Sequence, residues 1–185
     1  CGIATFTTDL QHAVGALASG PQITLVAMTD AGRHYSYPPT VGFQIHDESI
    51  EDYERAADFL NTRGCDVISL QHEFGIFGGE AGGHLLRLLR RLKMPVVSTF
   101  HTVLATPGAA ERRVFQEIID LSAGVVVMAE RARGLLETEY RTPANKIEVI
   151  PHGIPDVPLV SPVGAKRRRG YAGRPVLLTF GLLSP

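Results

Sequence analysis

Short apolar runs rich in β-branched residues alternate along this chain with longer segments that have helical spacing. The strand candidates are residues 23–28, 66–70, 96–100, 124–128, 147–150 and 176–180, with 41–45 as a weaker one. The helix candidates are residues 3–18, 49–62, 80–93, 109–121 and 129–140. Because buried strands joined by helices are typical of parallel sheets, the pattern predicts an α/β fold, a Rossmann-like parallel sheet flanked by helices.

The composition limits the partners of such a domain. Of the 185 residues, 44% are hydrophobic and 20% charged, which suits one buried core. The formal charge of −1 provides no positive field to attract nucleic acid, so no nucleic-acid partner is predicted. No apolar run reaches the roughly 18 residues of a membrane span, and neither membrane association nor export is signalled. With Cys1 and Cys65 interpreted as free thiols, we expect a cytoplasmic location.

Both ends of the sequence indicate a division into domains. Cys1-Gly2-Ile3 resembles the turn that opens a helix after a strand, so we expect residues 1–159 to form a domain whose first strand is missing. Residues 160–174 are rich in Pro, Gly and Arg and are expected to be a linker, with solvated cations at 166–169. Residues 175–185 are expected to begin a second domain.

Polar residues follow three of the predicted strands. Gln71-His72-Glu73 and the glycines Gly78-Gly79 follow one strand, His101-Thr102 another, and His152-Gly153 a third. Ligand sites of open parallel sheets lie beyond the carboxyl ends of the strands. The sequence therefore predicts that Gly2, His72, Glu73, His101 and His152 line one crevice.

Each of these features also has a structural explanation. A histidine at a strand end can bind a ligand or satisfy a backbone group, and Glu73 can act as a general base or orient a neighbour. Gly2 can admit a phosphate or only form a tight turn, and Gly78-Gly79 can cradle a ligand or only bend a loop. Lacking an HExxH pair or a Cys/His cluster, the chain is predicted to bind no metal. The other four histidines are expected to be ordinary surface residues: His12, His34, His46 and His84.

Several segments together resemble family 4 glycosyltransferases, which are retaining enzymes of the two-domain GT-B type. Cys1-Gly2-Ile3-Ala4-Thr5-Phe6-Thr7, the segment QHEFGIFGG at 71–79 and Thr99-Phe100-His101-Thr102 are similar to stretches of that family. So is VIPHGI at 149–154, although asparagine is commoner there than His152. Residues 177–185 resemble the first strand and loop of the nucleotide-binding domain. The resemblance implies the amino-terminal half of a GT-B fold.

The resemblance also implies an activity and assigns roles to residues. It implies hexosyl transfer, with retention, from a nucleotide diphosphate sugar to a carbohydrate or other hydroxyl acceptor, with no cofactor beyond the donor substrate. Gly2 and Ile3 would lie near the diphosphate, and His101 would be catalytic beside the transferred sugar. From their places at the strand ends, the predicted substrate contacts are His72, Glu73, Gly78, Gly79, Thr102, His152 and Gly153. Without the donor-binding half, the isolated chain would be inactive. The alternative to a glycosyltransferase is a non-catalytic Rossmann-type binding or regulatory module.

Overall fold

The computed structural model describes residues 2–154, 157–158 and 160–177. The chain forms two compact units, Cys1–His152 and Gly153–Pro185. The strand expected at 176–180 and the domain expected at 175–185 lie largely outside the described residues.

The first unit alternates helices and strands as the sequence predicts. Its α-helices are α1 (Gly2–Gly15), α2 (Ile50–Thr62), α3 (Leu85–Leu89), α4 (Ala109–Leu121) and α5 (Glu130–Glu139). Its strands are β1 (Leu25–Thr29), β2 (Val41–His46), β3 (Ile68–His72), β4 (Val96–Phe100), β5 (Gly124–Val127) and β6 (Ile147–Val149). Two short 3₁₀ turns cover Glu80–Gly82 and Ala144–Lys146.

All strand pairs are parallel, which confirms the predicted fold class. The strands form two sheets, however, and not the single sheet expected from the sequence: β1 pairs with β2, and β3, β4, β5 and β6 pair in that order. No strand in the described part of the chain pairs with the free edges of β1 and β3. The helices join the two sheets, because the side chains of α2 pack on β2 and on α3 within one hydrophobic core.

Local signals explain where the helices begin and break. Ser49 caps α2, with its Oγ accepting a hydrogen bond of 3.3 Å from the Asp52 backbone amide. The helix expected at 80–93 is interrupted, because Ala81 and Gly82 both have positive φ, +52° and +78°. This left-handed conformation separates a 3₁₀ turn from the short α3.

The core lies between the helices and the four-stranded sheet. Helix α4 buries one face, formed by Val114, Phe115, Ile118 and Ile119, with the spacing of a helix stripe. The Phe115 ring packs on Phe100 of β4, with ring centroids 4.3 Å apart. This packing fixes the position of the carboxyl end of β4, where the predicted site begins.

The second unit contains a helix where the sequence predicts an irregular linker. Helix α6 (Pro162–Arg168) starts after Ser161, whose Oγ accepts from the Val163 amide at 3.4 Å, and has proline in its first turn. The Lys166 ammonium group donates to the Arg174 carbonyl at 2.9 Å. Arg167, Arg168 and Arg169 are exposed, in line with the solvated interpretation of this basic run.

Candidate functional site

The carboxyl ends of β3 and β4 lie side by side. His72, the last residue of β3, is in register with Phe100, the last residue of β4. The His101 amide donates to the His72 carbonyl at 3.0 Å and so extends the ladder by one residue. His101 and Thr102 therefore emerge at the same sheet edge as Glu73, as the sequence predicts.

His101 is half-buried at this edge and is held from several sides. Its Nε2 lies 3.0 Å from Oε1 of Gln71. Its ring meets Phe6 of α1 edge to face at 4.8 Å, and the His152 ring centroid is 6.4 Å away. Burial lowers the pKa of His101, an effect that Glu73 opposes and His152 reinforces. The imidazole is accordingly neutral at pH 7.

Glu73 links the segments that follow β3 and β4. Its Oε2 accepts a hydrogen bond of 2.9 Å from the Thr102 hydroxyl, and its Oε1 accepts one of 2.9 Å from the Phe74 amide. Both carboxylate oxygens thus have protein donors. Of the two roles left open by the sequence, this geometry favours orientation of neighbouring groups.

His72 lies in the core, with only 2% of its surface exposed. Four phenylalanine rings surround it at centroid distances of 5.2 to 5.7 Å: Phe74, Phe77, Phe100 and Phe115. Burial, with a smaller contribution from His101, lowers the pKa of His72 to about 4, and its Nδ1 has no hydrogen-bond partner among the described residues. This burial argues against the substrate contact predicted for His72, which stays a prediction.

Gly78 and Gly79 lie where the loop after β3 packs closely against other parts of the protein. The Gly78 amide donates to the Tyr53 hydroxyl at 3.0 Å, and that hydroxyl donates to the Asp47 carbonyl at 3.0 Å. A Cβ on Gly78 would lie 1.9 Å from the Asp47 carbonyl oxygen, and one on Gly79 would lie 2.5 Å from the His84 ring. The close approach that requires these glycines is made by the protein itself, and the ligand-facing role stays a prediction.

The first turn of α1 lies at the histidine edge. Phe6 contacts the rings of both His101 and His152, the latter edge to face at 5.6 Å. Gly2 is exposed, with open space where a Cβ would stand, and Ile3 is half-buried. Helix α1 therefore packs beside His101 through Phe6, one turn after its N-terminal residues Gly2 and Ile3.

The structure brings together four predicted site residues and separates others. Glu73, His101, Thr102 and His152 share the edge with the start of α1. Gly153 is exposed and belongs to the second unit, and its substrate contact stays a prediction. Two members of the cluster were not predicted as site residues, Gln71 and Phe6. Gln71 could have been found from its position before His72 at a strand end.

The other four histidines lie outside this cluster. His12 and His34 are exposed, and exposed His46 pairs with Asp52 through an Nδ1 to Oδ2 distance of 2.7 Å. His84 is half-buried and not a surface residue as expected, because its ring packs against Tyr53 with centroids 5.9 Å apart.

The described ranges contain neither a candidate membrane span nor a candidate metal cluster. None of the helices there has the length and hydropathy needed to cross a bilayer. The same part of the chain contains no group of three or more His, Cys, Asp or Glu side chains arranged to hold a metal ion.

Parallel sheets flanked by helices, with polar residues beyond the strand ends, define a Rossmann-like α/β domain. The model of the family described as Glycosyltransferase Family 4 matches residues 2–156. The match covers most of the sequence, and the chain belongs to this family. No curated protein matches the chain. Membership implies a glycosyl donor and a glycosyl acceptor as substrates in general terms.

Proposed function

We propose that this chain is the acceptor-side, amino-terminal domain of a retaining GT-B glycosyltransferase. The enzyme would transfer a hexose from a nucleotide diphosphate sugar to a hydroxyl group of a carbohydrate or another acceptor. Family membership supports glycosyl transfer in general. The observation that carries the finer proposal is the contact of Phe6, in the first turns of α1, with His101 and His152.

The start of α1 would bind the donor's diphosphate. Backbone amides at a helix N-terminus are unpaired, and the helix dipole favours negative charge there. Gly2 leaves open space on this turn, and Ile3 supplies the next amide. Departure of the nucleotide builds charge on phosphate oxygens, and amides aimed at them would lower the barrier. Nothing in the residue pattern calls for a metal or other cofactor.

His101 would act on the sugar side of the bond. A neutral imidazole can accept a hydrogen bond from a sugar or acceptor hydroxyl and so hold the reacting groups in place. Burial keeps the pKa of His101 below its ordinary value, which favours the neutral form. Thr102 and His152 flank this position and would add hydroxyl contacts, with Gly153 as a further contact. Glu73 would contribute indirectly, by holding Thr102.

We further propose that catalysis needs a donor-binding domain in addition to these residues. In this view the 185 residues alone turn over no nucleotide sugar at a useful rate. We also propose that the reaction takes place in the cytoplasm. The resemblance of residues 177–185 to the first strand of a nucleotide-binding domain supports this organisation.

The test is an assay on the longest natural polypeptide that contains these residues, alongside the 185-residue chain. Each is incubated with a panel of UDP-, GDP- and ADP-hexoses and mixed hydroxyl acceptors, with products identified by mass spectrometry and anomeric configuration by NMR. We expect transfer with retention by the natural polypeptide only. An inverted product would overturn the retaining mechanism. Binding of nucleotide sugar without transfer would favour a non-catalytic module, and transfer by the 185 residues alone would overturn the need for a second domain.

A further inference from the structure

Gln71 contacts the ring of His101 from the neighbouring strand. It is the penultimate residue of β3, and its Oε1 lies 3.0 Å from the His101 Nε2. Its amide nitrogen donates to the Ser69 hydroxyl at 3.1 Å. Ser69 and Gln71 share one face of β3, because side chains two residues apart in a strand point the same way. The Gln71 amide is therefore held at both ends.

This contact determines which nitrogen of His101 carries the proton. An amide oxygen can only accept a hydrogen bond, so the His101 Nε2 must donate to it. In a neutral imidazole with a protonated Nε2, the other ring nitrogen has a free lone pair. The Nδ1 of His101 is then the atom that can accept a hydrogen bond from a hydroxyl group.

We propose that Gln71 is a positioning residue that fixes His101 in the Nε2–H tautomer, so that Nδ1 is the acceptor for a substrate hydroxyl. Ser69 serves this arrangement by orienting the Gln71 amide. The assignment of a substrate hydroxyl to Nδ1 rests on the proposed glycosyl transfer. The tautomer does not, because it follows from contacts within the protein.

The charged and titratable groups beside His101 act on its pKa. They are Glu73 and His152 on the adjoining segments, while His72 lies in the core. Glu73 favours the charged ring, whereas burial and His152 oppose it. Among these neighbours, Gln71 makes the hydrogen bond to a ring nitrogen of His101.

Two substitutions separate the contributions of Gln71. Gln71→Met keeps the length of the side chain and removes the acceptor. Gln71→Glu keeps an acceptor for Nε2 but adds a negative charge, which favours the protonated ring. Gln44→Met is the matched control, because Gln44 is an exposed strand glutamine in the other sheet.

The first measurement is long-range ¹H–¹⁵N NMR of the histidine rings in the 185-residue chain at pH 7.5, with His101 assigned by loss of its signals in His101→Ala. We expect the Nε2–H tautomer in the wild type and in Gln44→Met. In Gln71→Glu we expect the same tautomer for the fraction of His101 rings that is neutral. Gln71→Met should shift the ring to a mixture or to Nδ1–H. An Nδ1–H ring in the wild type, or an unchanged tautomer in Gln71→Met, would overturn the proposal.

The second measurement is the pH profile of glycosyl transfer by the natural polypeptide. Gln71→Met should lower kcat about tenfold with little change in KM, since loss of hydroxyl orientation acts on the reacting complex. Gln71→Glu should move the acidic limb to higher pH by about 1 unit, because the added carboxylate favours the charged ring. If the Nε2–H tautomer is found but no transfer occurs with any donor, the proposed function fails while the fixed tautomer stands. If transfer occurs and both Gln71 variants match the wild type, the positioning role fails.

Discussion

Phe6 and His101 meet edge to face with their ring centroids 4.8 Å apart, although 95 positions separate them in the chain. This contact sets the start of α1 against the end of β4. The contact holds α1 beside the half-buried imidazole of His101. For the glycosyl transfer proposed above, it would keep an anion site at the helix N-terminus near a hydroxyl-binding group.

Removing the Phe6 ring should loosen the start of α1. We expect Phe6→Ala to cost about 1 to 3 kcal/mol of stability, less than a fully buried ring, because Phe6 is only half-buried. Affinity for nucleotide sugar should fall about tenfold, because the helix start is no longer held beside His101. Denaturant unfolding and calorimetric titration of the natural polypeptide measure the two effects. Phe6→Leu is the control and should retain most of the stability and most of the affinity for nucleotide sugar. Unchanged affinity in Phe6→Ala would argue against the helix start as a donor site.

His101 should affect the reaction more than folding. In the natural polypeptide, His101→Ala should lower kcat and kcat/KM together by roughly tenfold to a thousandfold, from lost positioning of hydroxyl groups. If His101 served only to satisfy buried groups, the variant would instead lose about 1 to 3 kcal/mol of stability. Its kinetics per folded molecule would then be unchanged. Steady-state kinetics and thermal unfolding distinguish these results, with exposed His12→Ala as the control.

Gly78 should be intolerant of any side chain. Gly78→Ala places a Cβ 1.9 Å from the Asp47 carbonyl oxygen, so the loop must move and break the hydrogen bonds through Tyr53. We expect a loss of about 2 to 4 kcal/mol in the free energy of unfolding, typical of overpacking combined with lost buried hydrogen bonds. Gly134→Ala is the contrasting control. Gly134 lies in α5 with open space around it, and alanine there should stabilise the chain by about 0.5 to 1 kcal/mol. Equal stabilities for the two variants would contradict the packing role of Gly78.

The buried His72 should make stability depend on pH. Its pKa in the folded chain is about 4, against an ordinary value of 6.5, so the unfolded chain binds the proton more readily. The stability that comes from a neutral His72 in the core is fully present above pH 6.5. This stability falls by roughly 3 kcal/mol as the pH falls from about 6.5 to about 4.

The measurement for His72 is urea unfolding at several pH values between 4 and 7.5. The wild type should lose more stability over this range than His72→Phe, whose ring suits the surrounding phenylalanines. An exposed control, His34→Phe, should follow the wild type. Parallel curves for the wild type and His72→Phe would show that His72 does not titrate in the predicted range.

Much of the fold could be predicted because its signals are local. The apolar runs at β4 and β5 are bounded by turn residues, and Ser49 stands where a helix needs a cap. The helix predicted at 80–93 was wrong at both ends, because α3 covers only Leu85–Leu89. Periodicity alone does not show that Gly82 adopts a left-handed conformation there.

The candidate site was predicted less completely. The carboxyl edge and the residues His101, Thr102 and Glu73 follow from strand order, because parallel strands end at the same side. The strand order does not show on which face of β3 the His72 side chain lies. His72 shares a face of β3 with Ile68 and Leu70, so the alternation of side chains along the strand was a signal for its burial that the strand-end argument did not use. The structure shows the packing of His72 against Phe100 and Phe115.

The sequence by itself therefore determined the order and type of the elements and the edge at which polar residues gather, since these depend on neighbours a few positions apart. The tertiary structure alone decided that His101 meets Phe6 and that Gly78 packs on Asp47. It also decided that β1 and β3 stand in separate sheets. These outcomes depend on contacts between residues distant in sequence, whose energies no local pattern encodes.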